Sequence, residues 1–117
     1  MRYNGVRNNK GGVNLPNIVL TEAVYYVLLS LYTPLHGYGI MLKVEEISNG
    51  RVRLAAGTLY GALGTMVEKG WIKALPEEKD TRKKEYVITE QGKVITENEL
   101  SRLKELVKNG SDIIEGN

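Results

Sequence analysis

The sequence has no cysteine and a single histidine, His36. Without thiols there is no disulfide framework, no thiolate zinc site and no cysteine nucleophile. One imidazole excludes a His-rich metal site and disfavours a self-contained Ser-His-Asp triad. No metal site, no catalytic residue and no cofactor are therefore expected, and an enzyme is disfavoured. A small hydrolase would have to take its base from His36, which reads better as a turn residue or local hydrogen-bonding partner. Long apolar runs are also missing. The most apolar window, Leu20 to Tyr32, is interrupted by Thr21, Glu22 and Ser30 and falls short of the roughly 20 residues a membrane span needs. No charged-then-apolar stretch marks a secretory signal, so a cytoplasmic protein with no membrane partner is expected. Gly37-Tyr38-Gly39 lacks both a third glycine and a preceding strand, which excludes a dinucleotide fingerprint, and no P-loop occurs.

Net charge is small, +2 from 16 basic and 14 acidic residues, so only its distribution is informative. Residues 1–20 carry Arg2, Arg7 and Lys10 and no acid. Residues 51–84 carry Arg51, Arg53, Lys69, Lys73, Lys79, Arg82, Lys83 and Lys84 against Glu68, Glu77, Glu78 and Asp80. From residue 85 onward acids outnumber bases. One end of the molecule is expected to be basic and the other acidic.

At 117 residues, 42% hydrophobic, the chain supports one small core. Residues 1–19, rich in glycine and asparagine, read as a flexible basic arm without secondary structure. Thr21 is a candidate N-cap for a first helix, with Val24, Val27, Leu28 and Leu31 on one face and Tyr25, Leu29 and Tyr32 on another. Two apolar faces call for two partners, and the second is best explained by a subunit interface. After the breaker cluster Thr33-Pro34-Leu35-His36-Gly37, Ile40, Val44 and Ile47 mark a second helix ending at Ser48-Asn49-Gly50. Arg51 to Leu54 alternates as a short strand would, and Leu59, Leu63 and Met66 mark a third helix from about Ala56 to Lys69, stopped by Gly70. Trp71 to Leu75 and Lys84 to Ile88 read as a hairpin with a charged tip. Thr89 caps a last helix in which Thr96, Leu100, Leu103, Val107, Gly110 and Ile114 recur in heptad fashion, a candidate dimerisation seam.

The fold class that results is mainly α with a small β-hairpin (α+β): a winged helix-turn-helix over residues 20–89 and a C-terminal dimerisation helix over 90–117. In a winged helix the third helix enters the DNA major groove and the hairpin lies along the backbone. The basic stretch coincides with those two elements, so Lys79, Arg82, Lys83 and Lys84 at the hairpin tip are candidate phosphate contacts. A charge run of this kind otherwise reads as a solvated tip balanced by its own acids.

Pro34-Leu35-His36-Gly37-Tyr38, Gly57-Thr58-Leu59-Tyr60, Glu68-Lys69-Gly70-Trp71-Ile72 and Arg82-Lys83-Lys84 leading into Tyr86-Val87-Ile88-Thr89 and Gly92 resemble the signature of PadR-like transcriptional regulators. The resemblance spans about residues 20–92. It implies a homodimeric winged-helix regulator of double-stranded, near-palindromic operators, commonly a repressor released by a small hydrophobic or aromatic effector. It also implies that Gly57, Thr58, Tyr60 and Gly61, at the start of the recognition helix, face DNA. Tyr38 would clamp the backbone, and Leu59 would be core. The expected effector pocket and dimer interface involve Tyr25, Tyr26 and Leu29 of the first helix and Leu100, Leu103 and Val107 of the last. Two departures stand out. Gly64-Thr65 occupies positions that are basic in many relatives, and residues 90–117 hold no aromatic to sandwich a planar ligand. The weakly basic recognition helix keeps open a second reading, a winged-helix module for protein interaction or ligand sensing without specific DNA binding.

Overall fold

The computed structural model describes residues 18–76 and 84–116, together with the backbone pairing of β1 (Asn9–Lys10) and β2 (Val13–Asn14). That antiparallel pair falls in a stretch whose composition gave no strand signal. The remaining elements run α1 (Glu22–Ser30), β3 (Leu35–His36), α2 (Gly37–Ile47), α3 (Ala56–Glu68), β4 (Ile72–Ala74), β5 (Glu85–Ile88) and α4 (Glu90–Ile114). Two compact units result: residues 20–96, and the rest of α4 from Glu97 with the β1–β2 pair.

Helix starts and stops follow local chemistry. Thr21 Oγ1 accepts from Val24 N–H at 3.1 Å and caps α1. His36 Nδ1 accepts from Gly39 N–H at 3.2 Å and caps α2. Helices α2 and α3 both end in the paired bonds of a Schellman motif, Gly50 N–H to the Glu45 carbonyl with Asn49 to Glu46, and Trp71 N–H to the Met66 carbonyl with Gly70 to Val67. The motif needs a left-handed residue after the C-cap, and Asn49 (φ 54°) and Gly70 (φ 80°) provide it. Beyond the first of these turns, Ser48 Oγ accepts from Val52 N–H at 3.0 Å, which holds the link between α2 and α3.

The sheet differs from expectation. Arg51–Leu54 is an irregular linker that pairs with no strand among the described residues; its alternation arises because Arg51 pairs with Glu22 and Arg53 with Glu45 (3.3 Å) while Val52 and Leu54 are half-buried. The third strand is β3, inside the breaker cluster, and the antiparallel order is β3-β5-β4 with Leu35 opposite Tyr86 and Ala74 opposite Tyr86 on its other side.

The core of this unit is built from Val27, Leu28 and Leu31, Ile40 and Val44, Leu59, Leu63 and Met66, closed by Ile72, Ile88 and Ile95. Two contacts fix the sheet in the unit: Ile88 N–H donates to the Leu31 carbonyl (2.9 Å), and Thr89 N–H donates to the Trp71 carbonyl (3.0 Å). Thr89 Oγ1 also accepts from Gly92 N–H (3.0 Å) as the α4 cap and donates to the Gly70 carbonyl (2.6 Å). Thr96, the first position of the heptad pattern, is buried here, its hydroxyl donating to the Gly92 carbonyl at 2.8 Å. Among the described residues no helix is long and apolar enough to cross a membrane.

Candidate nucleic-acid interface

Leu59, Leu63 and Met66, at i, i+4 and i+7, turn one side of α3 into the core. The opposite side is thereby left outward: Gly57, Thr58, Tyr60, Gly61, Gly64 and Thr65 are all exposed. A Cβ added at Gly57, Gly61 or Gly64 would meet no atom within 4 Å. Glycine in an exposed helix interior costs about 1 kcal/mol relative to alanine. Among the described residues no packing contact requires glycine at these positions, so the outer face of α3 is bare backbone. Thr65 Oγ1 donates to the Gly61 carbonyl at 3.2 Å, which occupies its hydroxyl and leaves Thr58 as the other small polar side chain on the face.

Tyr60, 51% exposed, leans from α3 toward the start of α2, where Tyr38 is 63% exposed. The two tyrosines therefore flank the same helix end. The wing root carries Lys73 on β4 and Lys84 before β5, both exposed and unpaired among the described residues. Lys79, Arg82 and Lys83 lie outside the described residues. Lys69 Nζ sits 5.6 Å from the Trp71 ring centroid. Arg51 and Arg53, counted in the basic stretch of the sequence, are bound to Glu22 and Glu45, so they contribute less free positive charge than the linear map implies.

The sequence and the architecture match a known group. Residues 26–98 match the family described as "Transcriptional regulator PadR-like family". The chain belongs to that PadR-like family. A PadR-family transcription regulator from Clostridium difficile superposes with a TM-score of 0.65 at 24% identity, over 78% of this chain and 97% of that one, which shows the shared fold. PadR of Bacillus subtilis, solved in complex with operator DNA, gives a TM-score of 0.57 at 25% identity, covering 66% of this chain and 45% of that one. A 37.1 kDa protein of transposon TN4556 in Streptomyces fradiae is 34% identical over 73 residues, 62% of this chain. This PadR-like chain spans about a fifth of the length of that relative (20%).

The expected interface residues lie on α1 and α4. Tyr25 and Tyr26, with ring centroids 6.2 Å apart, and Leu29 lie partly buried on α1. On α4, Leu103 is half-buried, while Leu100 and Val107 (67%) are exposed, as are Leu106, Ile113 and Ile114. Glu99 is buried and takes two bonds from Arg102, 2.8 Å from Nε and 2.6 Å from a terminal nitrogen. The contact that sequence reasoning missed is between Gly37 and Tyr60, 23 positions apart, for which a glycine in a turn-like stretch gives no signal.

Proposed function

We infer that this PadR-like regulator is a sequence-specific DNA-binding homodimer acting as a repressor. The observation that carries the reading is α3, whose core-facing side is fully packed while its outer side is glycine backbone edged by Thr58 and Tyr60. Bare backbone lets a helix approach bases and phosphates closely, and the Bacillus subtilis relative, solved in complex with operator DNA, supports DNA as the partner. Each subunit places α3 in a major groove, Tyr38 and Tyr60 meet phosphates, and Lys79, Arg82, Lys83 and Lys84 of the wing neutralise flanking charge. Two-fold symmetry then calls for a near-palindromic operator with half-sites about one turn, ~34 Å, apart. The exposed apolar residues of α4 support a second copy as its partner. A small hydrophobic effector releases DNA by binding the competent and incompetent dimers unequally. Such a regulator works in the cytoplasm.

One observation favours a second reading as a protein-interaction module: α3 contains no lysine or arginine, and the two arginines before it are paired with acids. Selection from a randomised duplex pool separates the two. The DNA reading expects enrichment of an inverted repeat with half-sites about ten base pairs apart. No enrichment overturns it.

A further inference from the structure

Gly37 is the first residue of α2 and is buried. Its backbone does not require glycine, since the left-handed glycines among the described residues are Gly50, Gly70 and Gly116. Its cap does not require it either, because His36 supplies that bond. What excludes a side chain is the phenol of Tyr60: a Cβ at Gly37 would overlap its hydroxyl and lie 2.6 Å from Cζ and 3.0 Å from Cε1. By contrast, the nearest atom to a Cβ at Gly39 is Leu35 Cδ2 at 3.3 Å. The Tyr60 ring thus occupies the space a side chain at 37 would fill, and it does so while remaining half exposed.

An exposed tyrosine on a helix has two torsions to sample, and ordering them on binding costs free energy that prior seating removes. We propose that Gly37 is a positioning residue for DNA contact. By lacking a side chain it seats the Tyr60 phenol against the start of α2 and so fixes where that hydroxyl meets nucleic acid. The inference rests on the DNA-binding reading above. It makes the start of α2 and the outer face of α3 one surface, with Gly37 as the joint between Tyr38 and Tyr60.

The test uses the full chain and the duplex that the wild type enriches from the randomised pool, with Gly37→Ala, Tyr60→Ala and the double variant. Gly37→Ala is expected to weaken binding by about tenfold, the scale of one hydrogen bond to a charged group. The same change in the Tyr60→Ala background should cost nothing further. Without DNA, the Tyr60 ring resonances should shift in Gly37→Ala while the melting temperature stays close to wild type. Equal loss in both backgrounds, or none in either, overturns the inference and leaves the DNA reading standing. A wild-type chain that enriches no duplex overturns both.

Discussion

Gly92 shows how a single missing side chain holds the winged-helix unit together. A Cβ there would lie 2.9 Å from the Trp71 carbonyl carbon and 2.8 Å from Ile88 Cγ1, so α4 starts in direct contact with the backbone of the segment leading into β4. Gly92→Ala must push backbone, and chemical denaturation should show a loss of about 1–3 kcal/mol, typical of overpacking. Thr89 acts at the same joint by capping α4 and reaching the Gly70 carbonyl. Thr89→Ala should therefore cost at least about 1 kcal/mol, the usual value of an N-cap, with loss of the second bond adding to it. The core residues at these positions were legible from periodicity: Leu59, Leu63 and Met66 lie where a 3.6-residue repeat places them. The pairings of Arg51 with Glu22 and Arg53 with Glu45 were not legible, because ion pairs across a fold leave no trace in linear charge.

At the scale of elements, α3 sets stability against function. Gly61→Ala and Gly64→Ala add a methyl where nothing stands within 4 Å. Each should raise unfolding stability by about 1 kcal/mol through helix propensity. Each should also weaken DNA binding, because the methyl stands on the proposed docking face; unchanged affinity would show that this face does not meet DNA closely. In α4, Val107→Glu places a charge on an exposed apolar face. For the proposed homodimer, sedimentation should find the wild type dimeric and Val107→Glu monomeric at the same concentration; an unaltered dimer would place the interface elsewhere. All four helices were legible, since caps such as Thr21 and Thr89 and left-handed stops at Asn49 and Gly70 bound clear apolar repeats. Strand β3 was not: two residues between Pro34 and Gly37 are too few to show a period, and they are extended only because β5 offers them a partner. The converse error arose at Arg51–Leu54, where alternation without a neighbouring strand produces a linker.

For the molecule as a whole, the winged-helix fold followed from the order of the helices and the hairpin, and the family from four short motifs; Tyr38, Thr58 and Tyr60 are exposed on α2 and α3. The electrostatics differ from the linear reading. With no base on α3 and two arginines internally paired, exposed positive charge among the described residues of the hairpin rests on Lys73 and Lys84. Replacing Lys79, Arg82, Lys83 and Lys84 by alanine should weaken binding almost equally for all sequences and flatten its salt dependence. The central claim is that this is a DNA-reading regulator, and fluorescence anisotropy with a labelled duplex from upstream of its own gene, against a scrambled duplex, tests it most directly. The account predicts preference for the upstream duplex and a loss of about a hundredfold between about 50 and 200 mM salt, as expected for roughly four neutralised phosphates. Equal binding to both duplexes, or affinity indifferent to salt, would contradict it.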